Sequence, residues 1–251
     1  MLRLEYTDFD SANLLPTVDD GCETSVYEEA IWLDNAHPLN VSNNTPIATA
    51  ANRADATGAN SVENARAHRA LLRGDDLYVG YTYTEDDALA RLARPRANYN
   101  FWMRRFDAVT GTWASPKNLT GIRNRNVDAK EPRLMGTPGK GPNCPADPED
   151  CQNTSVFFAV WGTKRKDPVM GAAADLDIFV TCTTDKGEGF VPAIRIGRGD
   201  NVNDQAEDQL RSTPDGSRVF SVWNERNRRG GADTRFTVGT IERSLGPPGK
   251  P

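Results

Sequence analysis

Three arginines stand at recurring places along the chain, each opening a short apolar stretch that leads through a turn into a strand-like segment. They are Arg69, Arg133 and Arg211. If that stretch is the innermost strand of a repeated sheet, the three guanidinium groups lie beside one axis and bind a carboxylate through paired hydrogen bonds. The alternative is that each arginine pairs with a nearby acid and joins strands of its own sheet. The candidate acids are Glu63, Glu131, Glu207 and Asp208.

The elements that position these arginines form an internal repeat. A hairpin whose second strand is rich in valine and aromatic residues recurs at 69–81, 133–161 and 211–223. A third strand follows each hairpin, at 99–106, 176–183 and 234–242, and two of these continue through a polar turn toward a fourth strand, near 114–122 and 190–196. Four strands per repeat are typical of a β-propeller blade. The predicted fold is therefore all-β, with about three four-stranded blades.

The number of blades decides whether this chain could form a closed ring by itself. A blade cannot bury both faces of its sheet alone, and closed propellers generally have four to eight blades. We therefore expect three visible blades to be part of a larger or multi-chain propeller. Within the chain, residues 65–251 are predicted to form the blades, and residues 1–64 an extended segment that packs on them.

Composition narrows the class of partner. The chain has 30 basic and 35 acidic side chains, a net charge of −5, which argues against a nucleic-acid binder, because such proteins carry a basic stripe. No apolar run approaches the roughly 20 residues of a membrane span. The predicted partners are other protein subunits or surface glycans, with no nucleic acid and no membrane span in this chain.

One turn between a third and a fourth strand carries the most specific motif. Residues 183–190 fit the Asp-box pattern Ser/Thr-x-Asp-x-Gly-x-x-Trp/Phe, found between the outer strands of blades in sialidase-like propellers with BNR repeats, and 106–113 resemble a degenerate copy. The carboxylate accepts hydrogen bonds from turn amides, the glycine permits positive φ, and the aromatic ring fills the blade edge. These residues are structural rather than catalytic. They are Asp185, Gly187 and Phe190, with Asp107, Gly111 and Trp113 in the second copy.

A narrower resemblance covers most of residues 61–225. The segments 63–69, 99–107, 131–133, 175–180 and 209–216 resemble the large bacterial surface proteins called choice-of-anchor O proteins. That resemblance implies an exported chain that is a portion of a longer protein attached by a C-terminal anchor, and it brings no established activity. The predicted location is secreted, periplasmic or on the cell surface.

Enzymatic activity is the rival hypothesis. Sialidases hold sialic acid with an arginine triad and use a tyrosine nucleophile, an activating glutamate and an aspartate acid/base. In sialidases that tyrosine lies late in the chain, whereas no tyrosine follows Tyr99 here. No catalytic residue is therefore assigned, and a glycoside hydrolase would need groups from chain or partners not present here.

The tryptophans allow two interpretations. An exposed tryptophan on the surface of a blade can stack on a sugar ring, whereas a buried tryptophan packs between neighbouring blades. The second role is the more common for large aromatic residues in stacked sheets. The residues concerned are Trp102, Trp113, Trp161 and Trp223.

Cysteines and acids suggest two further features. Cys144 and Cys151 bracket a short Pro-rich polar loop, which predicts a disulfide and an oxidising compartment. The acid-rich stretch with Asp200, Asp204 and Glu207 offers the oxygen ligands that Ca²⁺ prefers, although it does not match the EF-hand pattern. Calcium is thus a possible ligand, and a metal-binding surface protein is a third hypothesis.

The leading hypothesis is an exported, non-enzymatic propeller for binding, adhesion or assembly, whose loops make the contacts.

Overall fold

A computed structural model of the chain describes residues 40–42, 44, 62–138, 154–166, 177–196, 204–226 and 231–240, without the side chains of 204–208 and 226. The chain divides into two compact units, Met1–Asn40 and Val41–Pro251. All described strands belong to the second unit. The predicted boundary between residues 64 and 65 stays a prediction, because most of residues 1–64 lie outside the described ranges.

Nearly all regular structure in the described residues is β. The strands are β1 (Asn64–Arg73), β2 (Asp76–Thr84), β3 (Asn100–Asp107), β4 (Thr112–Trp113), β5 (Lys117–Asn118), β6 (Val127–Gly136), β7 (Phe157–Arg165), β8 (Asp177–Thr183), β9 (Ile194–Arg195), β10 (Asp204–Ser212), β11 (Arg218–Arg226) and β12 (Ala232–Thr240). One short helix, α1 (Asp87–Ala90), begins at Asp86, whose carboxylate accepts a hydrogen bond from the Leu89 amide.

The described strands form three antiparallel sheets, which confirms the predicted fold class. The first sheet has the order β1-β2-β3-β4, with β5 also paired to β3; the second is β6-β7-β8-β9 and the third is β10-β11-β12. Short fourth strands occur where the sequence predicted them, in the first and second sheets. Strand β1 lies beside β6, and β6 contacts β10, so the first strands of successive sheets are neighbours, as in a propeller.

Each first strand contains an irregularity at the same place. The pairing register shifts between Arg66 and Arg69 in β1, between Lys130 and Arg133 in β6, and between Ala206 and Gln209 in β10. The bulges in β1 and β6 place a non-glycine residue at positive φ, 53° at Ala67 and 47° at Glu131. Such bulges bend a strand and increase its twist. They also provide a landmark for aligning the three sheets.

The second strands carry much of the packing between sheets, and β7 is buried on both faces because the second sheet lies between the other two. Their sequences are rich in aromatic and β-branched residues, which suit a pleated, packed surface. One face of β2 meets the second sheet, where the Tyr78 and Phe157 rings lie 4.5 Å apart and Phe101 makes an edge contact with Trp161 at 6.3 Å. These contacts form the first inter-sheet core.

The opposite face of the second sheet packs on the third sheet. Its cluster of buried side chains contains Phe158, Val160, Ile178, Val180 and Cys182 from the second sheet and Leu210 and Trp223 from the third. Alternate residues of β7 thus serve two different interfaces, since side chains along a strand point to opposite faces.

A buried arginine joins the first two sheets at the hairpin end. Arg73, at the end of β1, donates from Nη1 to the Thr137 carbonyl at 2.7 Å and from Nη2 to the Thr137 hydroxyl. Burial lowers the pKa of Arg73, as expected for a cation removed from water. This contact was not predicted from the sequence.

Candidate functional site

A polar cleft opens at one end of the first sheet, where β2 ends and β3 begins. Its volume is about 220 Å³. The lining includes one aromatic platform, three side-chain amides, two arginines and one acid, contributed by three stretches of chain that are separated in sequence. The lining residues used below are Trp102, Asn98, Asn100, Asn118, Arg96, Arg125 and Glu85.

Two asparagines fix the floor of the cleft. The Asn98 amide Nδ2 donates to the carbonyls of Ile122 and Val127 at 3.1 and 2.9 Å. The Asn100 Oδ1 accepts from the Ile122 amide at 2.7 Å and from the Thr120 hydroxyl at 2.6 Å. Because these bonds attach the 118–127 loop to the start of β3, the cleft is held in shape before any ligand enters.

Trp102 and Asn118 are directly paired across β3 and β5. The Trp102 indole is half-buried and makes an edge contact with Tyr83, with ring centroids 5.7 Å apart. The Asn118 Oδ1 accepts from the amides of Thr120 and Gly121 at 3.1 and 3.0 Å, which orients the side chain. Its Nδ2 group donates no hydrogen bond to any residue that the structure describes.

Two cations border the cleft. Arg96 and Arg125 are exposed, and within the described part of the chain their side chains make no ion pair or hydrogen bond. A half-buried indole beside amide donors and free guanidinium groups suits a sugar ring: the apolar face of the ring stacks on tryptophan, and a carboxylate or sulfate is bound by arginine.

The three predicted arginines lie on the corresponding face of three different sheets, the face that points away from the preceding sheet. Arg69 is opposite Gly80, on the face toward the second sheet, and Arg133 is opposite Val160, on the face toward the third. Arg211 is opposite Phe220, on the far face of the third sheet. The bulges show that Arg69 and Arg133 are equivalent, but the third equivalent position is Gln209, two residues before Arg211.

The described contacts of these arginines are mostly with backbone carbonyl groups of neighbouring residues. Arg69 donates to the His68 carbonyl at 2.8 Å and Arg211 to the Leu210 carbonyl at 2.6 Å. The Arg133 Nε is buried without a hydrogen-bond partner in the described structure. Among the described side chains, none of the three forms an ion pair with an acid, and no contact brings two of them together. Their role as ligand-binding residues stays a prediction.

The turn at 183–190 has the local contacts expected of its sequence. The Asp185 carboxylate accepts hydrogen bonds from the Gly189 amide at 2.9 Å and the Thr183 hydroxyl at 2.6 Å, and these bonds lower its pKa. Gly187 has a φ of 82°, and the Phe190 ring meets Phe157 edge-on at 5.7 Å. The contacts are structural, and membership of this turn in the Asp-box family stays a prediction.

The turn at 106–113 uses a similar carboxylate. Asp107 accepts from the amides of Val109 and Thr110 at 2.9 and 3.1 Å, with the Thr110 amide the main cause of its lowered pKa. Gly111 has a φ of 68°. Trp113 packs on Phe106 with ring centroids 5.2 Å apart.

The tryptophans divide between the two predicted roles. Trp161 and Trp223 are buried in the two inter-sheet cores, whereas Trp102 and Trp113 are half-buried at the edge of the first sheet. Trp102 alone of the four lines the cleft. Sequence reasoning missed the other lining residues; the signal available was the group of arginines and asparagines on either side of the third strand.

Tyr99 lies in an ion cluster near the start of β3. Its hydroxyl donates to the Asp87 carboxylate, and the Arg66 guanidinium lies 3.7 Å from its ring centroid. Arg91 pairs with Asp87 at 2.8 Å. Burial and then the hydrogen bond with Asp87 raise the pKa of Tyr99 to about 12. Burial and the bond to Asp87 thus favour the neutral form of this phenol.

The disulfide and calcium predictions fall outside the described residues. Cys144, Cys151 and Asp200 are not described, and for Asp204 and Glu207 only the backbone is described, in β10. The thiol of Cys182 is free and buried, and burial raises its pKa. Within the described ranges no group of three His, Cys, Asp or Glu side chains is placed to hold a metal ion.

The one helix in the described ranges, α1, has four residues, so no described helix reaches the length of a membrane span.

Comparisons with known proteins give similarity to solved structures only. No protein-family model and no curated protein matches the chain. One similar structure is called a glycoside hydrolase, at 9% identity over 74% of this chain and 58% of that chain, with a TM-score of 0.38. A second is an exo-β-1,3-galactanase from Clostridium thermocellum, at 12% identity over 65% of this chain and 34% of that one, with a TM-score of 0.38.

A third similar structure is a Trypanosoma rangeli sialidase in complex with 2,3-difluorosialic acid. Its identity is 8% over 71% of this chain and 31% of that chain, with a TM-score of 0.38. The chain thus spans less than two thirds of the length of each of these three proteins.

Proposed function

We propose that this chain is a non-enzymatic binding module that holds an acidic saccharide in the cleft at the end of the first sheet. The observation that carries the proposal is the half-buried Trp102 beside two exposed arginines, Arg96 and Arg125, that have no partner in the described structure. An unpaired guanidinium group next to an aromatic platform is suited to a ring that has one apolar face and one anionic group.

The rigidity of the cleft supports binding. Ordering of side chains and loops opposes association, and that entropy loss is smaller where the site is already formed. The amides of Asn98 and Asn100 hold the 118–127 loop against β3 through four hydrogen bonds of 2.6 to 3.1 Å. A ligand entering the cleft therefore has mainly exposed side chains to order, the longest being those of Arg96 and Arg125.

Hydrolysis is the less supported alternative. Retaining glycosidases use two carboxyl groups about 5–5.5 Å apart, and inverting ones use a wider pair. Glu85 is the acid among the described residues that line this cleft. The described lining therefore supplies one carboxyl group and not the pair that such a reaction needs.

The remaining sequence-based expectations belong to the same proposal. The module would be part of an exported bacterial surface protein of the choice-of-anchor O type, with sialidase-like blades. The Cys144–Cys151 disulfide and calcium binding at Asp200, Asp204 and Glu207 are part of this proposal. Intact mass under reducing and non-reducing conditions tests the disulfide, and elemental analysis tests the metal.

Isothermal titration of the purified chain tests the cleft. The probes are oligogalacturonate, chondroitin sulfate oligosaccharides and, as the neutral comparison, maltotetraose. We expect an acidic probe to bind and the neutral one not to. Trp102→Ala and Arg125→Ala should each weaken binding by about tenfold or more, as expected for residues at the centre of an interface.

Two matched variants serve as controls. Trp113→Ala removes the other half-buried tryptophan of the first sheet, and Arg123→Ala removes an exposed arginine two residues from Arg125; neither lines the cleft. Both should bind like the unmodified chain. Equal losses in the cleft variants and their controls, or binding of no acidic probe, would show that the cleft is not the binding site. Release of reducing ends from a probe would show instead that the chain is an enzyme.

A further inference from the structure

The third sheet has an apolar face that no described residue covers. Pairing places Val222 opposite Phe236 and Phe220 opposite Val238, so these four side chains share one face. Phe236 is 62% exposed, Val238 46% and Val222 37%. The Phe220 and Phe236 rings stack at 6.4 Å. A contiguous apolar surface of this kind marks an interaction site.

The same positions are buried in the second sheet. There, Val160 is opposite Val180 and Phe158 is opposite Cys182, and all four side chains are buried under the third sheet. Since Val160 and Val222 occupy the same place relative to the bulges in β6 and β10, the face of the third sheet repeats a face that another sheet covers. Its natural occupant is therefore a further sheet of the same kind.

The other end of the stack offers the matching surface. On the face of the first sheet that points away from the second, Leu72 is opposite Leu77 and Ala70 is opposite Val79. Leu72 is 70% exposed. Leu77 and Val79 are the counterparts of Phe157 and Ala159, with which the second sheet covers the first.

Segment 41–44 covers the part of this face nearest Tyr81, where Arg104, opposite Val79, also donates to the Val41 carbonyl at 3.4 Å. Among the described residues, the most exposed apolar part of the face is at Leu72. The Tyr81 hydroxyl donates to the Asn44 Oδ1 at 2.6 Å and lies 3.5 Å from the Val41 carbonyl. Tyr81 is farther along β2 than Leu77 and Val79. When the first and third sheets are aligned by their bulges, the apolar positions of the third sheet correspond to the end of the first sheet that bears Leu72. The polar positions Asn224 and Thr234 correspond to the region near Tyr81.

Side-chain sizes at the two ends are also complementary. Between the first and second sheets, Arg73 packs on Gly136, where an added Cβ would lie 2.7 Å from the Arg73 Cδ. In the third sheet the counterpart of Arg73 is the smaller Thr213, and in the first sheet the counterpart of Gly136 is the larger Leu72. In the contact between the first and second sheets, the large Arg73 therefore faces the small Gly136. In the contact between the third sheet and the outer face of the first, the small Thr213 would face the large Leu72.

We infer that a second copy of this chain docks head to tail, with the open face of its third sheet against the outer face of the first sheet of its partner. Two chains with three described sheets each would together supply six sheets. That number lies within the four to eight blades of closed propellers, and a ring of two chains has two-fold symmetry with two identical contacts. The inference does not rest on the saccharide cleft, although Trp102, which pairs with Tyr81, lies on the same outer face of the first sheet.

Sedimentation velocity of the purified chain over a dilution series tests the docking. We expect a species of about twice the chain's 27.6 kDa that gives way to monomer on dilution. Val222→Glu and Leu72→Glu place a charge on opposite faces of the contact. Each variant alone should be monomeric at concentrations where the unmodified chain is dimeric, because the head-to-tail contact uses both faces.

Val109→Glu is the matched control. Val109 is 78% exposed in the turn between β3 and β4, on neither face, and this variant should dimerise normally. Unchanged circular dichroism of the exposed-site variants shows that they are folded. A chain that stays monomeric at its highest concentration would overturn the inference, and so would a dimer that Val222→Glu disrupts but Leu72→Glu leaves intact, since that pattern belongs to two third sheets packed face to face.

Discussion

Replacing Gly80 by alanine tests the packing between the first and second sheets. Gly80 lies in β2, and a Cβ added there would lie 2.8 Å from the Phe101 Cε2 and 3.1 Å from the Leu134 Cδ1. Phe101 is fully buried, so its ring has no free space to enter. Leu134 belongs to β6 of the second sheet, so part of this contact crosses the interface.

The magnitude follows from a comparison with Gly162, in β7 of the second sheet. A Cβ at Gly162 would meet its nearest atom, the Lys130 carbonyl oxygen, at an ordinary 3.7 Å. Both substitutions reduce the entropy of the unfolded chain, which stabilises by about 0.4–1 kcal/mol. Only Gly80→Ala adds the cost of overpacking, about 1–3 kcal/mol. The two variants should therefore differ in unfolding free energy by about 1–3 kcal/mol, with Gly162→Ala the more stable.

Urea denaturation followed by tryptophan fluorescence measures this difference, provided that the slope of the transition is the same for both variants. A double-mutant cycle with Leu134→Ala separates the inter-sheet part: the loss caused by Gly80→Ala should be smaller when Leu134 is already truncated. Equal stabilities of Gly80→Ala and Gly162→Ala would refute the reasoning, because the close contact with Phe101 and Leu134 would then be absent in solution.

Two pH dependences follow from the shifted groups. The pKa of Asp185 is lowered chiefly by the Gly189 amide, so its turn is stabilised above the ordinary carboxyl pKa, and that stability is lost as the pH falls through the lower folded value. Below about pH 4, urea unfolding should show a smaller decline for Asp185→Asn than for the unmodified chain, and parallel declines would contradict this assignment. The pKa of Tyr78, Tyr81 and Tyr99 is raised to about 12, mainly by burial. Since unfolded tyrosine ionises near about pH 10, stability should fall as the pH rises from there toward the folded values, and an ultraviolet titration showing these phenols ionising near the ordinary value would count against their burial.

The order of strands could be predicted from the sequence because it depends on local patterns. Runs such as 76–84 and 157–165 combine aromatic and β-branched residues, and turn residues separate them, so each strand could be recognised without knowledge of its neighbours. The fourth strands, predicted near 114–122 and 190–196 for the same reason, are found within 112–118 and at 194–195. The contacts of Asp185 and Asp107 within their turns are equally local.

The equivalence of the arginines could not be read from the sequence alone. Arg211 matched Arg69 and Arg133 by its position before a turn, but pairing across the hairpin shows that Gln209 is the equivalent residue. A two-residue difference keeps the side chain on the same face of its strand, since the period of a strand is two, but moves it along the sheet toward the hairpin end. The number of residues between the bulge and the turn decides which residues are equivalent, and that number has no clear sequence signature.

The sequence by itself determined the all-β class, the threefold repetition and the turns, since alternation and turn chemistry act over a few residues. Tertiary structure decided which of two similar tryptophans is buried: Trp161 lies on a face covered by another sheet, whereas Trp102 borders an open cleft. It also brought Arg96, Trp102 and Arg125 to one cleft. The physical reason is that burial and convergence depend on how sheets stack and where loops fold back, and these contacts join residues that are distant in the chain.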